Sequence, residues 1–269
     1  MTDIYVRVTE AAPSVLEGLM KALEVRAADP QQRAMLDTYL SDAAFPDGSH
    51  VLEIGCGTGA VTRVLGTWPG VAKAIGVDPS PAFLARAREL AGGIATVSFH
   101  EADGRSLPFG DSSFDGVVIH TTLCHVPDPE LMLREAVRLL RPGGCLAVFE
   151  GDYATATLAT MARNPLDVCA DAFREHFVHD PWLVRRLPAL LHAVGVQLQR
   201  VRSYGYVEVA NPGFMLPSCV DLGADALAAS GRIGVDTAAE LKAEARRRVA
   251  SGEYFGHIAY MSLVARKPT

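Results

Sequence analysis

No apolar run in these 269 residues approaches the ~20 that a bilayer-spanning helix needs. The nearest candidate, Leu187–Val196, is short and broken by His192. The first residues, Met-Thr-Asp-Ile-Tyr-Val-Arg, carry an early acid and no apolar stretch, so they do not read as a secretory signal. The five cysteines (Cys56, Cys124, Cys145, Cys169 and Cys219) are scattered and form no C-x-x-C pair. That spacing excludes a disulfide framework and a zinc site, and it suits a reduced, cytoplasmic protein with no metal. Positive charge is scarce as well: 25 Lys and Arg stand against 31 Asp and Glu, a net −6. Without a basic face the chain is a poor partner for nucleic acid, and it has no polybasic cluster for a membrane surface. The one basic run, Arg246-Arg-Arg248, follows Glu240, Lys242 and Glu244 at helical spacing and reads as a solvated face.

A 49% hydrophobic and 21% charged composition is that of an ordinary globular protein. There is no internal repeat, and the length fits a single α/β domain with additions over 1–269. Up to Phe45 the apolar residues Val15, Leu19 and Leu23, then Met35, Leu36, Tyr39 and Leu40, recur every three or four positions, which predicts helices. The period then changes. Short β-branched runs at Val51–Ile54, Ala72–Val77, Ala95–Phe99, Phe114–Ile119 and Cys145–Phe149 predict strands. Ser80-Pro81 and Asp128-Pro129 predict capped helix starts, while Gly92-Gly93 and Gly143-Gly144 predict exits. Alternating strands and helices predict a doubly wound, mostly parallel sheet. Beyond Glu150 the expectation is a helix from Asp180-Pro181 to about Val194, a strand over Val196–Val209, helices over Pro212–Gly252 and a last strand over Phe255–Arg266. The core then comprises about 46–150 with 195–209 and 255–267, under a helical cap drawn from 1–45, 151–180 and 210–254.

The stretch Val51-Leu-Glu-Ile-Gly-Cys-Gly-Thr-Gly-Ala60 carries most of the chemistry. Glycines between a strand and a helix let the backbone turn and approach a ligand closely. Asp78, nineteen residues after Gly59, stands where a carboxylate can take both hydroxyls of a ribose. Gly55-Cys-Gly-Thr-Gly-Ala60 also fits G-x-G-x-x-A, so a nicotinamide dinucleotide and an oxidoreductase remain an alternative. Against a pyrophosphate stand Glu53 beside the loop, a second acid at Asp103, and the lack of any Lys or Arg within the loop. A row of carboxylates suits a cationic ligand without phosphates.

Val51–Ala60, Gly76-Val-Asp78, Glu101-Ala-Asp103 with Leu107-Pro-Phe, Phe114-Asp-Gly, His125-Val-Pro-Asp-Pro129 and Leu140-Arg-Pro-Gly-Gly144 together resemble the successive motifs of class I S-adenosylmethionine-dependent methyltransferases. The resemblance covers about 46–150 and is nearest to the small-molecule, ubiquinone/menaquinone-biosynthesis-like subgroup. It implies a Rossmann-like sheet closed by an antiparallel strand. It implies S-adenosylmethionine as cofactor, S-adenosylhomocysteine as product, and a small-molecule acceptor with an O-, N- or C-nucleophile. It also implies roles. Glu53 would orient the methionine amino group, Gly55, Cys56, Gly57, Thr58 and Gly59 would line the cofactor, Asp78 with Pro79 would hold the ribose, and Asp103 with Gly104 the adenine. His120 would face the methionine portion and is the first candidate base, with His125 the second. Methyl transfer from a sulfonium is an in-line displacement helped by alignment and desolvation, and it needs a base only where the nucleophile carries a proton. The loop after the fourth strand lacks the Asn/Asp-Pro-Pro-Tyr/Phe pattern that the family uses on nucleobase amines, and the cysteines do not match the placement in arsenite methyltransferases. Tyr5, Tyr153, Phe173, Phe177, Trp182, Phe214, Met215, Tyr254 and Phe255 are expected in the cap; Tyr5, Tyr153 and Phe255 are the substrate candidates. A protein of this fold that uses the cofactor without methyl transfer, for a cyclisation or rearrangement, is the other alternative.

Overall fold

The computed structural model describes residues 3–210 and 212–269; Met1, Thr2 and Asn211, which the expected cap segments include, lie outside the described residues. One seven-stranded sheet organises the chain. Its strands are β1 (Ser49–Ile54), β2 (Val71–Asp78), β3 (Val97–Glu101), β4 (Phe114–His120), β5 (Leu140–Thr157), β6 (Gln197–Glu208) and β7 (Gly256–Arg266), in the order β3-β2-β1-β4-β5-β7-β6. Only β7 runs against its neighbours, pairing antiparallel with β5 and β6. The strand order reverses beside β1, so the carboxyl ends of β1 and β4 open a crevice, the place where open α/β sheets bind ligands.

Helices α1 (Pro13–Ala28), α2 (Pro30–Ala43), α3 (Ala60–Leu65), α4 (Pro81–Leu90), α5 (Pro129–Leu139), α6 (Asp167–Phe177), α7 (Leu183–Ala193), α8 (Gly223–Ala229) and α9 (Val235–Ser251) cover the sheet. Short 3₁₀ turns at Ile4–Glu10 and Leu123–His125 and a π-helix at Leu216–Leu222 complete the covering. Local chemistry sets several of these ends. The Asp29 carboxylate accepts from the Gln31 and Gln32 amides ahead of Pro30, and Ser80 Oγ accepts from the Phe83 amide ahead of Pro81. The core joins sheet and cap: Leu40, Leu52, Ile119, Val148 and Leu263 share one apolar cluster with Phe173, Met215 and Val220. Among the described residues, no helix is long and apolar enough to cross a membrane.

Four expectations are corrected. The strand expected over Cys145–Phe149 runs from Leu140 to Thr157, because Phe149–Asp152 continue their ladder with Ser262–Ala259 of β7. Residues 151–157 therefore belong to the sheet and not to the cap. The preceding helix stops at Leu139, since Pro142 drives Arg141 out of the helical region, and Gly143-Gly144 form a turn within β5 instead of a helix exit. Asp128 makes no capping bond and pairs loosely with Arg105 at 3.9 Å. Finally, α7 begins at Leu183, because the Asp180 carboxylate folds the chain into a turn by accepting from the Trp182 amide.

Candidate active site

A cavity of about 530 Å³ opens at the carboxyl ends of β1 and β4. Its floor is the turn from β1 into α3. Gly55, Gly57 and Gly59 all have positive φ (76°, 51° and 75°), which glycine alone adopts without strain. At Gly55 a Cβ would stand 2.3 Å from the Thr122 side chain, so the loops after β1 and β4 touch only because that atom is missing.

Two carboxylates define one side. Glu53, at the end of β1, is buried, and its Oε2 accepts a short hydrogen bond from Thr62 Oγ1. Burial pushes it up to about 8, with Asp78 adding to the shift. Asp78, at the end of β2, accepts from the Gly57 and Ser80 amides at 2.9 Å each. Burial outweighs those bonds and pushes it up to about 6. Asp103 is half-exposed at the rim, where its hydrogen-bonded partner Arg105 holds it below the usual carboxylate range. Arg63, beside the glycine loop, is committed to Glu24 at 2.8 Å and to the Thr58 carbonyl.

The roof is α1. Leu19, Ala22, Leu23, Arg26 and Ala27 face the cavity, the i, i+3, i+4, i+7, i+8 pattern of one helical face. Glu24 pins that helix to the loop by accepting from Thr58 Oγ1 at 2.6 Å. A second clasp comes from Asp3, whose carboxylate meets His125 Nδ1 at 2.6 Å and accepts from the His179 and Tyr5 amides. Tyr5 packs over the His125 ring, 4.5 Å between centroids.

His120 ends β4. Its ring stacks on Phe149 at 4.7 Å, and its Nδ1 lies 2.9 Å from Tyr39 Oη. Burial, and then the charge of Arg26, push His120 down to about 3, so it is neutral across the physiological range. The bond to Tyr39 admits two tautomers. If the phenol donates, Nε2 carries the proton; if Nδ1–H donates, Nε2 has a free lone pair.

The expected residues largely meet here. Glu53, Gly55, Cys56, Gly57, Thr58, Asp78, Pro79, Asp103, Gly104, His120, His125, Tyr5 and Tyr153 all line the cavity. Gly59 does not; it lies behind the loop against Phe99 and Ala87. Phe255 is also outside. It stands just before β7, and its ring lies parallel to that of His257 on the strand at 6.4 Å. Of the other cap aromatics, Phe173, Phe177 and Phe214 line the cavity. Trp182 is exposed under Arg185, while Met215 and Tyr254 pack in the core. Arg246 and Arg247 are exposed and paired with Asp221 and Glu244, as a solvated face should be, whereas Arg248 is largely covered and donates to Asn164 as well as to Glu244. Sequence reasoning missed Asp3, Glu24, Arg26, Gln32 and Tyr39. Arg26 had a legible signal, since it stands seven residues after Leu19 on the same apolar stripe.

Residues 52–148 match the family model described as "Methyltransferase domain". The chain is 37% identical to cycloartenol-C-24-methyltransferase 1 of Oryza sativa subsp. japonica over 38% of its own length and 30% of that protein's. It is 32% identical to methyltransferase GfsG of Streptomyces halstedii over 56% of its own length and 54% of that protein's. These matches span from under a third to about half of the curated relatives. Among solved structures, the YcgJ protein of Bacillus subtilis superposes with a TM-score of 0.60 at 19% identity, covering 88% of this chain and 99% of that one. That likeness is one of fold.

Proposed function

We propose that this chain is an S-adenosylmethionine-dependent methyltransferase, its matched domain lying over residues 52–148, and that it moves a methyl group from that cofactor to a small molecule, working as a single domain in a reducing cytoplasm. The observation that carries the reading is the pairing of a side-chain-free loop at Gly55–Gly59 with the buried carboxylates Glu53 and Asp78. In this reading Asp78 takes the ribose hydroxyls, Glu53 faces the methionine ammonium, Asp103 and Gly104 flank the adenine, and the loop backbone lies along the ligand. The loop presents no cation to a pyrophosphate, because Arg63 is held by Glu24 and a carbonyl. A nicotinamide dinucleotide is accordingly disfavoured.

The cofactor supplies an activated methyl on a cationic sulfur. The protein's share is alignment and exclusion of water. Helix α1 and the Ile4–Glu10 turn close the cavity through the Glu24 and Asp3 clasps. Tyr39 and Phe149 fix the His120 ring at the end of β4, where the loop bearing Thr121 and Thr122 begins. In the tautomer with Nδ1–H toward Tyr39, His120 Nε2 can take a proton from an acceptor that carries one. His125, locked to Asp3, holds the clasp. Phe173, Phe177, Phe214, Tyr5 and Tyr153 give the acceptor side an aromatic wall, which suits a mostly apolar metabolite.

Ligand-induced stabilisation tests the reading. S-adenosylhomocysteine at a hundredfold excess over its Kd should stabilise the fold by about 2.7 kcal/mol. NADH should do nothing. Stabilisation by NADH and not by S-adenosylhomocysteine would overturn it.

A further inference from the structure

Two polar side chains in the cavity wall, Arg26 and Gln32, have few partners among the described residues. Arg26 reaches in from α1, and its Nη2 donates to Thr121 Oγ1 at 2.6 Å, its one side-chain bond among the described residues. The Tyr153, Tyr260 and Tyr5 phenols and the Cys124 thiol stand around it. Burial holds all four protonated: Tyr5 and Tyr260 are each pushed up to about 12, and Tyr153 and Cys124 are raised well above their usual values. The guanidinium is partly buried in an aromatic corner of the cavity, with no carboxylate in bonding contact among the described residues. Gln32 lines the same cavity at 4% exposure, and neither Nε2 nor Oε1 has a hydrogen-bond partner. Tyr260, wholly buried behind Gln32, does not line the cavity, and its phenol and the Gln32 carboxamide face each other.

Buried polar groups are almost always partnered, and buried charges almost always paired. Here a planar fork of N–H donors and a carboxamide line one cavity, and among the described residues no carboxylate is ion-paired with the fork. A carboxylate is the complementary ligand, because a guanidinium can hold both of its oxygens at once. The cluster is also displaced toward the acceptor side. Tyr153 is on β5 and Tyr260 on β7, two and three strands from β1 in the sheet, about 10 and 14 Å at the usual strand spacing. Beside it stand the apolar walls Phe173, Phe177 and Phe214.

We propose that Arg26 and Gln32 form a subsite for a carboxylate on the methyl acceptor, making the substrate class an amphipathic acid with its apolar body against Phe173, Phe177 and Phe214. This inference rests on the methyltransferase reading for the word acceptor, but the subsite itself can be tested apart from it. The probes are matched acids and amides, 2-naphthoate with 2-naphthamide and decanoate with decanamide, titrated calorimetrically into the full chain with and without saturating S-adenosylhomocysteine. The acids should bind at least tenfold tighter than their amides. Arg26→Gln should abolish that preference while leaving S-adenosylhomocysteine affinity within about threefold, and Arg26→Lys should retain part of it, since the charge survives without the fork. Amides binding as well as acids would overturn the proposal. So would an Arg26→Gln variant that keeps the acid preference and loses S-adenosylhomocysteine tenfold, because the guanidinium would then serve the cofactor's own carboxylate. If wild-type protein ignores S-adenosylhomocysteine, the methyltransferase reading fails, and an Arg26-dependent acid preference in the ligand-free protein still supports the subsite.

Discussion

Glu53 makes cofactor affinity depend on pH, and the size of the effect follows from its burial. In the ligand-free protein this carboxyl is pushed up to about 8, with Thr62 donating to it and Asp78 opposing its ionisation. At pH 7 it is therefore about nine-tenths protonated. A methionine ammonium placed against it favours the ionised form, so binding expels a proton. If the bound value falls below 6, the apparent Kd carries a factor of 1 + 10^(8 − pH), about 100 at pH 6 and about 2 at pH 8. S-adenosylhomocysteine should thus bind about 50-fold tighter at pH 8 than at pH 6. Asp78, at about 6, adds only a further factor of about two at the acid end. Calorimetry in phosphate and in Tris measures both quantities, since the heats should differ by about 0.9 of a proton's buffer ionisation at pH 7. Glu53→Gln should flatten the profile near the weak, acid-end affinity. The same shift has the opposite sign for the stability of the ligand-free protein. Because the folded-state value is raised, the contribution is fully present below the ordinary glutamate value and is lost as pH rises toward 8. A Kd constant within threefold from pH 6 to 8, with equal heats in the two buffers, would refute the placement of the ammonium at Glu53.

Gly55→Ala should cost about 1–3 kcal/mol in urea unfolding, since the residue is held at φ 76° and its Cβ would stand 2.3 Å from Thr122. Gly18→Ala is the control: with nothing within 4 Å on helix α1, it should stabilise by about 0.5–1 kcal/mol, and equal behaviour of the two variants would contradict the close loop contact. His120→Gln should lower kcat by about 100-fold or more while S-adenosylhomocysteine binds within threefold, if His120 Nε2 takes the acceptor's proton. Because His120 is pushed down to about 3, the wild-type kcat profile should show no inflection from it between pH 5 and 8, and unchanged turnover of the variant at saturating cofactor would remove it from the mechanism.

What could be read in the amino-acid sequence follows the range of the interactions involved. The cofactor half of the site is local. Glu53 through Gly59 form one turn, and Asp78 and Asp103 follow the next two strands, so spacing along the chain carries the geometry. The acceptor half has no such order. Thr121 follows β4, Tyr153 sits on β5, and Arg26 and Gln32 on the helices before β1; only the folded sheet brings them to one cavity. Each also has an ordinary reading in isolation. An arginine in an amphipathic helix reads as solvent-facing, a glutamine after a capping aspartate reads as helix surface, and aromatics in strands read as core. The same limit explains the errors. The true length of β5 depends on pairing with β7, more than a hundred residues later. Phe255 was placed in the cavity by its residue type alone, whereas it stands just before β7 with its ring parallel to that of His257. Residue type identifies chemistry that a chain can perform, but a carboxylate-binding site of this kind exists only as a coincidence of distant segments. The Arg26 guanidinium, facing the cavity with Thr121 as its one side-chain partner among the described residues, is the physical trace that such a coincidence leaves in the structure.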